Sequence, residues 1–238
     1  MKALILNSGV GSRMSDMTAD NPKCMVELIS GETILARQLR QLQSAGIEDV
    51  IVTTGYMAET IEKACEPFAA AMRFEFVLNM DYLMTNYIFS IYLAREHLRG
   101  DTLLLHGDLV FDDSLVPDVL AVPHNCMTVS RDRPLPEKDF KAVVKDGKIK
   151  AVGVQFFDNA LYAQPMYKLR REDWEVWLGG IELFCETDKR KCYAEDVFNE
   201  LSDSIELFPY DVGLRLCMEV DTQDDLRTAN FELTKESL

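Results

Sequence analysis

The stretch Ala3-Leu4-Ile5-Leu6-Asn7-Ser8-Gly9-Val10-Gly11-Ser12-Arg13-Met14 runs from an apolar segment straight into a glycine-rich loop. Ala3 to Leu6 reads as a buried strand bounded by turn formers. Glycines placed directly after such a strand let backbone N–H groups approach a phosphate chain closely. G-x-G alone is a weak signal, and its surroundings separate the options. A dinucleotide fingerprint requires a third glycine where Met14 stands, and a helix that starts at once. Ser15 to Pro22 is turn-rich instead, and the Gly-Lys-Ser/Thr ending of a P-loop is absent. The loop does carry Arg13, with Pro22-Lys23 following. Two cations flanking a glycine loop suit a triphosphate whose leaving group is pyrophosphate.

Outward from this loop, short apolar runs alternate with helical patterns, the signature of a parallel α/β sheet. Helices are expected over Thr33 to Ala45, Ala58 to Cys65 and Tyr87 to Leu98. Strands are expected over Asp49 to Thr54 (stopped by Gly55), Arg73 to Asn79 and Thr102 to Leu105, the last running into His106-Gly107-Asp108. Beyond residue 125, Met127 to Arg131 and Phe140 to Val144 read as strands, and Asp146-Gly147 is a hairpin turn leading into Lys148 to Val154. Helical stretches begin near Arg171 and cover Glu195 to Leu201; strands are expected near Ile205 to Phe208 and Leu216 to Val220. Thr222 can cap a last helix that runs to about Glu236. The fold class is therefore α/β: a Rossmann-like mixed, mostly parallel sheet flanked by helices. A single domain over 1–238 is expected, with 1–125 mainly nucleotide-binding and 126–215 mainly an acceptor-binding lobe.

The 238 residues carry a formal charge of −15. Such a surface repels nucleic-acid phosphates, so sequence-independent binding to DNA or RNA is not expected. It also obliges a polyphosphate substrate to meet locally placed cations. The six cysteines form no C-x-x-C and the three histidines no zinc spacing, so the cysteines read as small buried hydrophobes. No stretch reaches the roughly 20 apolar residues of a membrane span. A cytoplasmic protein without membrane contact is expected; the oligomeric state is left open.

The pattern G-x-G-x-R, a polar loop and Pro-Lys resembles the signature of the sugar-phosphate and phosphocholine nucleotidyltransferases. Asn79-Met80-Asp81-Tyr82 with Asn86 and Ser90, Gly107-Asp108, Tyr193-Ala194-Glu195-Asp196 and Glu219-Val220-Asp221-Thr222 resemble successive motifs of the CTP:phosphocholine cytidylyltransferase branch, in order. Two features depart from the pattern. Leu6-Asn7-Ser8-Gly9 stands where the family usually has L-A-A-G, and no tryptophan between Arg131 and Val144 matches the branch's choline cage; Phe140 is the nearest aromatic.

The resemblance implies catalytic roles for Lys23, Arg13 and Asp108: Lys23 on the phosphates, Arg13 on the leaving pyrophosphate, and Mg²⁺ between Asp108 and Asp221. Asp108 follows an apolar strand, at the strand end where open α/β sheets bind ligands, and Asp221 follows another. A capped helix or solvated turn is the plainer role for either one. The nucleotide-binding set is Leu6, Ser8, Gly9, Gly11, Ser12, Arg13, Lys23, Gly55, Asn86 and Ser90. The last two suit the edge of a pyrimidine, although Asn86 also suits a helix cap. On the acceptor side stand Arg131 and Lys141 for a phosphate, and Tyr193, Glu195 and Asp196 for an ammonium group. Trp174 and Trp177, three apart on a helix, read as core. The expected activity is transfer of CMP from CTP to phosphocholine or a related amine-bearing phosphate or phosphonate. The alternatives are 2-aminoethylphosphonate, a hexose 1-phosphate with another nucleotide, or a regulatory module that binds nucleotide without turnover.

Overall fold

The computed structural model describes residues 1–9 and 21–236. Its frame is a nine-stranded sheet, with strands β1 (Lys2–Asn7), β2 (Asp49–Thr54), β3 (Arg73–Leu78), β4 (Thr102–His106), β6 (Cys126–Ser130), β9 (Ala160–Leu169) and β10 (Phe208–Asp211) in the order β10-β6-β9-β4-β1-β2-β3. β7 (Lys141–Lys145) and β8 (Lys148–Gly153) form a hairpin that joins the sheet through β9. β4, β1, β2 and β3 are mutually parallel, while β9 runs antiparallel to β4, β6 and β7. The class is the expected one: a Rossmann-like, mostly parallel sheet flanked by helices.

Alternation along the buried strands divides the core into two faces, as a period of two demands. Leu4, Ile51, Leu104 and Tyr167 pack on one side with α3 (Tyr87–Ala94), α5 (Arg171–Glu186) and α6 (Ala194–Leu201). Ala3, Ile5, Val50, Val52, Leu103 and Leu105 face the other, against α1 (Ile34–Ser44), α2 (Ala58–Cys65) and α4 (Leu115–Ala121). Trp174 and Trp177 are fully buried, and their indole N–H groups donate to the carbonyls of Leu98 and Ala194, as core residues with a polar handle require. Gly180 lets α5 lie against α6, since a Cβ there would sit 2.6 Å from side-chain atoms of Val197 and Leu201.

Four elements differ from the sequence expectation, one of them the short strand Leu109–Phe111, for which no strand is expected. β9 was not foreseen because Pro165 and Gln164 interrupt its pattern. The register against β6 slips between Met127 and Val129, which face Tyr167 and Ala163, so Pro165 sits in a bulge where no ladder N–H is needed. Helix α4 was also missed, with Pro117 inside its first turn. The strand expected at Ile205 to Phe208 lies at Phe208–Asp211; Ile205 and Leu207 are core residues just before it.

Candidate active site

Asp108 stands just past the end of β4, and Asp221 just past β11 (Cys217–Glu219). β11 pairs antiparallel with β5 (Leu109–Phe111), Glu219 opposite Leu109, and the Val220 N–H donates to the Asp108 carbonyl at 3.0 Å. This two-stranded ladder brings residues distant in sequence to one edge of the parallel sheet. The turn carrying Asp108 is held from behind by α1. Gln38 Nε2 donates to the carbonyls of His106 (2.9 Å) and Leu109 (2.8 Å), and Gln41 Nε2 and Arg37 donate to that of Phe111. Gly107 is obligatory, because a Cβ there would lie 1.7 Å from Asn7 Oδ1.

Lys23 begins a short 3₁₀ turn, Lys23–Met25, anchored by the buried Cys24. Its ammonium donates to Asp108 Oδ2 at 2.5 Å and to Asp221 Oδ1. The three side chains are largely shielded from solvent. Burial alone would lower the lysine pKa, but the two carboxylates outweigh it and hold the group above its ordinary value. Burial likewise opposes ionisation of Asp108, yet Lys23 and His106 keep its carboxyl below the usual range. Asp108 and Asp221 thus turn one oxygen each toward a common centre, now taken by an ammonium. Gly11, Ser12 and Arg13 lie outside the described residues.

Beside this centre, His106 Nδ1 lies 2.9 Å from Glu219 Oε1. Burial and the negative charge of Asp108 push the Glu219 carboxyl up, with His106 offsetting part of the effect. Among the described residues, several buried polar atoms at these strand ends have no hydrogen-bond partner: Asn7 Nδ2, Ser8 Oγ, Thr54 Oγ1, His106 Nε2 and Asp108 Oδ1. Native interiors rarely leave such groups unpaired away from a functional site.

A cavity of about 200 Å³ opens here, lined among others by Leu6, Ser8, Gly9, Asn86, Ser90 and Asp108. These six expected residues therefore share one wall. Asn86 does cap α3, its Oδ1 accepting from the Tyr87 N–H at 2.8 Å. Ser90 is fully buried and accepts from Asn79 Nδ2 at 3.0 Å, which fixes its hydroxyl in the cavity wall. Gly55 is not among the lining residues; it allows close approach, since a Cβ would lie 2.5 Å from the Ser8 carbonyl.

The acceptor-side residues are more dispersed. Glu195 is buried and receives the hydroxyls of Tyr87 and Tyr167 (2.7 Å for Tyr167). Asp196 accepts the Tyr193 N–H at 2.9 Å in a cap of α6. Both carboxylates thus have internal work. Lys141 is fully buried and donates to the carbonyls of Pro136 and Glu137, and Arg131 is exposed and pairs with Asp211. The Tyr193 ring lies 5.0 Å from Phe140 and 5.9 Å from Tyr87, and Tyr87 and Phe140 both adjoin His106. His106, Glu219, Asn79 and Tyr87 were not singled out as site residues in the sequence. Two signals were available: His106 immediately precedes Gly107-Asp108, and Glu219 sits in the same acidic motif as Asp221.

Residues 3–138 match the family model of the MobA-like NTP transferase domain. CMP-5′-(3-aminopropyl)phosphonate synthase of Streptomyces rubellomurinus is 33% identical over 135 residues, 57% of this chain and 21% of that protein. Choline-phosphate cytidylyltransferase of Streptococcus pneumoniae is 29% identical over 119 residues, half of each chain. The matched stretch thus spans half or less of these curated relatives. The solved structure of the CTP:phosphocholine cytidylyltransferase from Streptococcus pneumoniae has the same fold, with a TM-score of 0.81 and 19% identity over 98% of each chain.

Proposed function

We propose, from the premise that this chain belongs to the MobA-like NTP transferase domain family, that it transfers CMP from CTP to an amine-bearing phosphate or phosphonate and releases pyrophosphate. One observation carries the reading. Lys23, Asp108 and Asp221 converge at the C-terminal edge of a parallel sheet, beside a cavity walled by Leu6, Ser8, Gly9, Asn86 and Ser90. That is where open α/β sheets bind ligands. The names of the two relatives, one acting on an aminopropylphosphonate and one on choline phosphate, support the nucleotide and the acceptor class.

The chemistry needs no general base. An acceptor phosphate or phosphonate oxygen is already an anion at neutral pH. It attacks the α-phosphorus of CTP, a new P–O bond forms, and the bond to the β-phosphate oxygen breaks in line. Catalysis then consists of positioning and charge neutralisation. Lys23 supplies a buried ammonium to the phosphates once it leaves its two carboxylates. A divalent ion such as Mg²⁺ fits Asp108 and Asp221, since one oxygen of each points to a common centre. Mg²⁺ keeps few protein ligands and takes the rest from water and phosphate, and when bound it supplies Lewis-acid charge neutralisation.

For the acceptor's amine, the aromatic rings of Tyr87, Phe140 and Tyr193, with Tyr87 lining the cavity, form the best-suited surface. Because Glu195 and Asp196 are engaged internally, a hexose 1-phosphate acceptor, bound through hydroxyls, is the second reading. A pyrophosphate-release screen crossing four nucleoside triphosphates with a panel of phosphorylated small molecules tests the proposal. Release that depends on CTP and on an amine-bearing acceptor supports it; absence of acceptor-dependent release with every nucleotide refutes it.

A further inference from the structure

The two oxygens of Asp108 have unlike surroundings. Oδ2 receives the Lys23 ammonium, whereas Oδ1 is buried with no hydrogen-bond partner among the described residues. His106 and Glu219 stand on this carboxylate, and the three residues offer ligand atoms that all lie within 4.8 Å of one another. His106 is more than nine-tenths buried, and its Nε2 is a second polar atom without a partner among the described residues. His106 Nδ1 is hydrogen-bonded to Glu219 Oε1 at 2.9 Å, which leaves Nε2 as the imidazole's ligand atom and the other Glu219 oxygen for a cation. Two carboxylates and an imidazole concentrated in a shielded corner are a donor set for a cation. Asp221 is not part of it, and among the described residues no other group of His, Cys, Asp and Glu has this spacing.

We propose that His106, Asp108 and Glu219 form a second divalent-cation position, using the Asp108 oxygen that Lys23 does not hold, and that it takes Mn²⁺ or Co²⁺ in preference to Mg²⁺. An imidazole ligand favours first-row transition ions over Mg²⁺, which selects oxygen and retains its waters. The inference deepens the metal part of the functional proposal and places a specific ion class beside the reacting phosphates. Glu219 would then serve twice, as ligand and as the group that orients the His106 ring.

The test is Mn²⁺ titration of the full chain without nucleotide, followed by the free-ion electron paramagnetic resonance signal, with Co²⁺ visible absorption alongside. Glu219→Gln retains an acceptor for His106 Nδ1, and His106→Phe retains a ring against Tyr87 and Phe140; thermal melting confirms that both are folded. Both variants are expected to weaken Mn²⁺ binding about tenfold or more, and His106→Phe to shift the Co²⁺ bands. Asp221→Asn is expected to change Mn²⁺ affinity less than about threefold. Mn²⁺ binding lost in Asp221→Asn but retained in the other two would overturn the proposal, as would the absence of saturable binding to the unaltered protein. Pyrophosphate release with Mg²⁺, measured on the same samples, reads the nucleotidyl-transfer proposal separately. Intact release without the His106 site sinks only this inference.

Discussion

The backbone N–H of Val220 donates to the carbonyl of Asp108 at 3.0 Å, and this rung places the carboxylates of Asp108 and Asp221 around one ammonium. Neither residue is close to the other in the chain. Their meeting depends on the short β5–β11 ladder, which continues the strand that ends in His106.

Asp108→Asn and Asp221→Asn are each expected to lower turnover by about a hundredfold or more, consistent with the loss of several kcal/mol of transition-state charge stabilisation. Both variants should remain folded, because Lys23 keeps the other carboxylate as a partner. Steady-state pyrophosphate release at saturating Mg²⁺, with circular dichroism melts, measures both. Near-normal turnover of either variant would remove that residue from the metal position.

Lys23→Ala is expected to lower kcat more than it raises the KM for nucleotide. Negative charge on the departing pyrophosphate is greater in the transition state than in bound CTP, so a cation placed on it acts mainly there. A change confined to KM would make Lys23 a binding residue only.

Gln38 touches no substrate in this account, yet it holds the turn that presents Asp108. Gln38→Ala leaves the carbonyls of His106 and Leu109 without their donor. A cost of about 1–3 kcal/mol in stability follows from such unpaired buried groups. A fall in kcat with little change in KM should accompany the lower melting temperature. Unchanged stability and turnover would show that α1 does not position the turn.

The Lys23–Asp108 pair has a definite pH signature. Asp108 is held below its ordinary 3.8, so its contribution to stability is present above that value and is lost as pH falls through the folded-state pKa. Lys23 is held above its ordinary 10.5, so its contribution is complete below that value and is lost as pH rises through the folded-state pKa. The stability difference between the native protein and Lys23→Met should therefore be level between about 5 and 9 and shrink below about 4. Melting curves of both proteins across this range test the sign; a difference that grows in acid contradicts the pairing.

The parallel half of the fold is legible because Ala3 to Leu6, Val50 to Val52 and Leu103 to Leu105 are apolar runs separated by helical periods. β9 was illegible for the opposite reason: its bulge accommodates Pro165, and a local pattern cannot reveal a partner strand's register. At the site, the motif resemblance singles out Lys23, Asp108 and Asp221, and the fold brings their side chains together. Their direct ion pairing, and the His106–Glu219 pair, are tertiary facts. Glu195 shows the same limit on the other side. An acidic residue next to Tyr193 suggests a ligand for an amine, but only the fold reveals that Tyr87 and Tyr167 already occupy its oxygens.

The central claim is that the site joins CMP to an acceptor carrying both an anion and an amine. Its most direct test is kcat/KM with CTP for phosphocholine, phosphoethanolamine and 2-aminoethylphosphonate, each compared with glucose 1-phosphate. Without the cage tryptophan, a primary amine that can donate hydrogen bonds should compete with the trimethylated head, which relies on aromatic faces alone. The account predicts that at least one of the three amines exceeds the sugar phosphate by about tenfold, a difference of roughly 1.4 kcal/mol in transition-state binding. A preference of the same size for glucose 1-phosphate would contradict it.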